Sequence, residues 1–147
     1  MRRLSRVLFV LLSITGLTLG ASAQQVGSGG KQDSGFRLEQ NYPNPFNPET
    51  KIPFVLGEDL FANGETVVVS VRIYNVLRQF ITAPTALNHP AGEGQPVLEL
   101  EYPFPGRWEA YWDGRDDSGR QVASGVYFVQ LVVDGRSAPV RKMFVTK

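Results

Sequence analysis

The chain has 147 residues, 15 basic and 14 acidic side chains, a formal net charge of +1 and no cysteine. That length holds one ordinary domain. The missing cysteines exclude disulfides, thiolate metal sites and cysteine nucleophiles, and a lone histidine, His89, argues against a histidine-based catalytic or metal cluster.

Arg2, Arg3 and Arg6 precede an apolar run from Val7 to Gly20, and Ala21-Ser22-Ala23 follows. This is the three-part pattern of a secretory signal peptide over residues 1–23, with cleavage by signal peptidase expected between Ala23 and Gln24. The run falls short of the roughly 20 residues a helical membrane span needs. No later segment is apolar enough to cross as a helix, so the mature chain is not expected to be an integral membrane protein. Without residues 1–23, 12 basic and 14 acidic side chains remain, which excludes a strongly basic nucleic-acid binder. Export without cysteine points to a bacterial protein, secreted or on the cell surface, held by packing alone. Residues 24–35, QQVGSGGKQDSG, read as a short flexible linker.

From Phe36 the apolar residues begin to alternate. Lys51–Leu56 places Ile52, Phe54 and Leu56 on one face, and Pro53, without an amide hydrogen, predicts an edge strand or a strand start. Thr66–Asn75 is the clearest strand, with Val67, Val69, Val71 and Ile73 on one face. Arg78–Ala83 is a short strand, and the proline-rich stretch 84–96, which contains His89, is a loop. Val97–Tyr102 is expected to set Leu98, Leu100 and Tyr102 against Glu99 and Glu101; Arg107–Trp112 sets Trp108, Ala110 and Trp112 on one face. Asp113–Gly119 is a turn by composition. Gly125–Asp134 carries Tyr127, Val129, Leu131 and Val133 on one face; Asp134-Gly135 signals a hairpin, and Ala138–Lys147 is a last strand with Met143 and Val145 inward. About seven strands at near-regular spacing predict an all-β fold, a small antiparallel immunoglobulin-like sandwich over residues 36–147.

Three stretches carry a family resemblance. The first is Leu38–Ile52, containing Asn41, Tyr42, Pro43, Asn44, Pro45, Phe46, Asn47 and Pro48. The second is Trp112–Gly119 with Val122–Tyr127, containing Asp113, Gly114, Gly119, Gly125 and Tyr127. The third is Arg141–Lys147. Together they resemble the type A C-terminal sorting domain of the type IX secretion system, a module similar to the immunoglobulin-like domain of the flagellar hook-capping protein. The resemblance implies a non-catalytic domain recognised by the outer-membrane secretion translocon, with attachment to surface polysaccharide or removal afterwards. The module usually closes a much larger protein, whereas Gln24–Gly35 is what precedes it here, and the stretch 84–105 is longer than the family leads one to expect.

The motifs also have direct physical readings. Three prolines stiffen residues 41–48 into a non-helical strap, which Tyr42 and Phe46 would pin to the sandwich. Gly114 and Gly119 permit a tight reversal, and Gly125 a close backbone approach before Tyr127 enters the core. Arg141, Lys142 and Lys147 place cations on a terminal strand, a handle for a receptor that pairs with a strand edge or reads positive charge. These three are the candidate translocon contacts.

Other candidates reduce to simpler roles. Asp113, Asp116 and Asp117 lack the alternating acids of a calcium loop and read as a solvated turn. Glu99, Glu101 and Glu109 read as a solvated sheet face rather than paired catalytic carboxylates. Trp108 and Trp112 are expected in the core, though facing solvent they would make a sugar platform. His89, in its loop, has no evident partner. No nucleophile elbow, phosphate loop or dinucleotide fingerprint occurs, so no catalysis, cofactor or metal is expected. Two alternatives to sorting remain: a structural or adhesive module assembling through exposed strand edges, and a carbohydrate-binding module using Tyr102, Phe104 and Tyr111.

Overall fold

A computed structural model describes residues 34–147. The signal peptide and all but the end of the linker lie outside the described residues. Ten strands follow in order: β1 (Phe36–Leu38), β2 (Thr50–Leu56), β3 (Val67–Tyr74), β4 (Phe80–Thr82), β5 (Thr85–Leu87), β6 (Leu100–Tyr102), β7 (Gly106–Trp112), β8 (Gly125–Val133), β9 (Arg136–Ser137) and β10 (Arg141–Val145). Seven correspond to the expected strands; β1, β5 and β9, of two or three residues each, are additional. A single 3-10 turn, Glu58–Phe61, interrupts the strands.

All named strand pairs are antiparallel. One sheet runs β1-β2-β7-β5 and the other β10-β8-β3-β4, with β6 also on β3 and β9 on β8. Together they form a small immunoglobulin-like sandwich. Period-two alternation explains the layering. Val69, Val71 and Ile73 of β3 lie opposite Val133, Leu131 and Val129 of β8, and all six are buried. From the facing sheet, Ile52, Phe54 and Leu56 of β2 and Trp108, Ala110 and Trp112 of β7 close over them. Edge-on ring contacts knit the filling, with Phe54 5.5 Å from Tyr102 and Trp112 5.5 Å from Tyr127. Asp134 and Gly135, both at positive φ, form the tight turn from β8 into β9, as the sequence predicts.

Several expectations require correction. β2 is an inner strand, not an edge. Pro53 is tolerated there because β1 ends at Leu38: past that point Glu39 N–H bonds the Pro53 carbonyl at 3.0 Å, and the missing donor faces the place where the chain turns away. Thr85–Leu87, expected as loop, pairs with Tyr111, Ala110 and Glu109 of β7. The strand expected over 78–83 is shorter, because Arg78 sits in the preceding turn at φ 61°. The final strand starts at Arg141, after β9.

The alternation expected over 97–102 slips by one residue. Val97 is buried, Leu98 is 41% exposed, and Tyr102 is buried again. Glu99 takes a left-handed φ of 48° between them, its N–H held by Ser70 Oγ at 2.8 Å. That residue resets which side chains face inward.

Candidate functional site

The strap of residues 40–48 and the terminal strand β10, about one hundred residues apart, build one seam. Phe46 is 1% exposed, with its ring 5.2 Å from that of Trp112. Its N–H bonds the Phe144 carbonyl at 2.9 Å and its carbonyl accepts from Thr146 N–H at 3.0 Å. Asn44 Oδ1 accepts from Phe144 N–H at 2.9 Å, and Gln40 Nε2 donates to the Lys142 carbonyl at 2.8 Å. The strap therefore occupies the outer edge of β10. Prolines suit that job: they cannot extend a sheet, so they end the row of donors that an edge would otherwise offer.

Asn41, buried, ties the other end of the strap down. Its Nδ2 donates to Thr50 Oγ1 at 3.0 Å and to the Pro43 carbonyl at 3.2 Å, and Thr50 Oγ1 also bonds that carbonyl. Tyr42 does not pin the strap to the core. It lies 42% exposed on the outer face of the first sheet, where its hydroxyl bonds the Glu109 carboxylate; this bond, the first cause, and burial, the second, raise its pKa. Pro43, Pro45, Asn47 and Pro48 are exposed.

The second motif forms a small hairpin spanning 114–122. Asp113 Oδ1 accepts from Arg115 N–H, and Asp116 Oδ1 accepts from Ser118 and Arg120 N–H at 2.9 and 3.0 Å. Asp117 N–H reaches the Ile81 carbonyl beside it at 3.1 Å. These carboxylates solvate their own turn, and among the described residues no group of three or more His, Asp or Glu side chains is placed to hold a metal. Gly114 and Gly119 have φ of 74° and 78°. At Gly114 a Cβ would also sit 2.5 Å from the Pro48 carbonyl oxygen, so this glycine lets hairpin and strap meet. Gly125 makes no such approach: nothing lies within 4 Å of a Cβ there, and its φ of 147° is what calls for glycine. Tyr127 enters the core and donates its hydroxyl to the Ala123 carbonyl at 2.8 Å. This is the backward tyrosine bond that immunoglobulin-like sandwiches use at a strand corner.

The terminal cations separate into two kinds. Arg141 shares its side of β10 with Met143 and Val145, and its Nε donates to the Leu38 carbonyl of β1 at 3.1 Å. It closes the gap between the two sheets. Lys142 and Lys147 are exposed, and neither forms an ion pair among the described residues. Edge pairing on β10 is not open to a receptor while the strap is in place. The other sheet edges are also partly covered: Ala86 of β5 bonds Gln95 and Gly94, and Ile81 of β4 bonds Asp117.

Aromatic and carboxylate candidates resolve in the same way. Trp108 and Trp112 are buried. Tyr102, offered as an exposed sugar contact, is fully buried, and desolvation raises its phenol pKa strongly. Phe104 is exposed but its ring leans on Trp108 at 5.2 Å, and Tyr111 bonds Glu49. Glu109 is held by Tyr42 and Arg107, and Glu99 is not in a strand. His89 does have partners. It is buried, with Nε2 2.8 Å from the Glu101 carbonyl and Nδ1 accepting from Ala91 N–H. It staples its loop over Tyr102, 4.7 Å between rings. Its position in a polar loop gave no signal of burial.

No protein family and no curated protein matches the chain by sequence. Among solved structures, dimeric latent PorU from Porphyromonas gingivalis matches over 76% of this chain with a TM-score of 0.56 and 17% identity. The likeness is one of fold. The match takes in 9% of the PorU chain, so this chain corresponds to a small part of that protein. The alkylpurine DNA glycosylase AlkC from Pseudomonas fluorescens, bound to DNA containing an abasic site analog, matches over 77% of this chain and 31% of its own, with a TM-score of 0.48 and 15% identity. That score is too low to build on.

Proposed function

We infer that residues 36–147 are a sorting domain of the type IX kind, in a chain that residues 1–23 direct out of the cytoplasm. The domain works by being recognised, not by catalysis. Its partner is the outer-membrane secretion translocon, and its destination is the cell surface, with surface polysaccharide as an attachment, or the medium. The observation that carries this inference is the seam: the Asn41–Pro48 stretch, which bears the family resemblance, docks on the terminal strand that bears its third motif. The likeness of fold to PorU supports it. Lys142 and Lys147 are the translocon contacts, and Arg141 positions the strand that carries them. The rival of assembly through open strand edges loses support, because the strap covers the edge of β10.

A transport assay tests this. Residues 34–147 are fused to the C-terminus of a periplasmic reporter in a bacterium with a type IX apparatus, and surface reporter is measured. Delivery is expected, with a clear fall for the Lys142→Ala/Lys147→Ala variant, its fold checked by thermal melting. A folded fusion that stays in the periplasm overturns the inference.

A further inference from the structure

The solvent face of the six-stranded sheet carries an apolar cleft flanked by two cations. Strand register aligns Phe80, Tyr74, Phe128 and Lys142 in one row across four strands. Arg72 and Gln130 form the next row, and Val126 and Phe144 the row on the other side. In the middle lies a cleft of about 570 Å³, with Tyr74, Val76, Phe128 and Val140 as its apolar lining and Arg78 and Lys142 among its walls. Phe80, Phe144, Val140, Val76 and Leu77 are all exposed large hydrophobics. Contiguous apolar surface of this kind on a small domain marks a contact site more often than an accident of composition.

The charges identify the occupant. Arg72, Arg78 and Lys142 form no ion pair among the described residues, although the chain beyond residue 23 has an acidic excess. The first sheet pairs its outer arginines with Glu39 and Glu109; on this face the cations are unpaired among the described residues. Tyr74 and Phe80 meet edge to face, 75° between planes. They form a ridge and groove rather than the open ring faces that a sugar or a base stacks on. A groove with an apolar floor and cationic rim fits a side chain inserted from a protein segment whose flanking residues are acidic.

We propose that this face is a docking site for an acidic segment of another protein, anchored by an aromatic or aliphatic side chain between Tyr74, Phe128 and Val140. The site does not depend on the sorting inference, since only Lys142 is shared. A chain that docks such segments but fails the transport assay retains this site and loses that function.

The full chain is used to select from a displayed library of random twelve-residue peptides, and the strongest peptide is measured by fluorescence anisotropy. Enriched sequences should combine Asp or Glu with Phe, Leu or Ile. Arg78→Glu/Lys142→Glu and, separately, Phe128→Ala should each weaken binding by about tenfold or more, while Arg120→Glu leaves it unchanged. Melting temperature reports on folding of each variant, so a weakened but folded variant is diagnostic. Polygalacturonate is assayed in parallel as an anionic glycan. No enrichment, enrichment of neutral or basic peptides, binding indifferent to the charge reversal, or saturable binding of the glycan in place of any peptide overturns the proposal.

Discussion

Replacing Phe46 by alanine should unlatch the seam. The side chain is 1% exposed and packs on Trp112, while its backbone holds Phe144 and Thr146. Truncating a buried phenylalanine costs about 3–5 kcal/mol, the transfer energy of the ring plus the cavity it leaves. For a domain of this size, at about 4 °C per kcal/mol, the melting temperature should fall by roughly 12–20 °C. A second effect is local. With the ring gone, hydrogen bonds alone keep the strap on β10, from the Phe46 backbone and from the Gln40 and Asn44 side chains, each contributing about 1 kcal/mol. Hydrogen exchange at the Phe46, Phe144 and Thr146 amides should then accelerate more than at Leu131 in the centre of β8. Chemical denaturation and amide exchange by NMR give both numbers. A loss below about 1 kcal/mol, or uniform acceleration across the domain, would refute the idea that the Phe46 ring pins the strap.

Two further outcomes follow from the geometry. Gly119→Ala should cost about 1–2 kcal/mol, the strain of a left-handed alanine, and Gly114→Ala about 1–3 kcal/mol more because its Cβ meets the Pro48 carbonyl; equal losses in urea melts would contradict the close approach. The hydrogen bond to Glu49, with burial and nearby Asp113 adding to it, holds the Tyr111 phenol up at about 12. Because the folded value lies above the unfolded one, near 10, Tyr111's contribution to stability is intact below pH 10 and lost as pH rises through 12. Glu49→Gln should move the Tyr111 titration toward 10 in carbon-13 NMR of labelled tyrosine, and an unmoved curve would exclude Glu49 as the main cause.

The sequence was most readable where burial alternates without interruption. β8 follows the two-residue period residue by residue and β3 departs from it only at Ser70, buried beneath Glu99; their inward valines, with Ile73 and Leu131, are the core. It misled where one backbone residue changes the phase. Glu99 does this at φ 48°, a conformation that leaves no mark on the apolar pattern. Pro53 pointed to an edge because the rule for proline concerns its own missing donor, and the sequence does not show that β1 stops one residue short of needing it. The strap's rigidity was legible from its prolines, but not its target, since Asn44 and Phe46 meet residues about one hundred positions away. For the same reason Arg141, Lys142 and Lys147 looked alike in sequence. The hydrogen bond from Arg141 to the Leu38 carbonyl of β1 separates the arginine that bridges the sheets from the lysines that face solvent.

The seam has a consequence for the order in which the domain can be completed. Its first half is synthesised about one hundred residues before its second, and its native partners, in and just past β10, are Phe144 and Thr146. Until those residues emerge, the strap has no partner, and the places of Met143 and Val145 in the core stand empty. A chain stopped before β10 is expected to keep an open, protease-sensitive sandwich. Closure of this domain is thus a physical record that synthesis has passed β10.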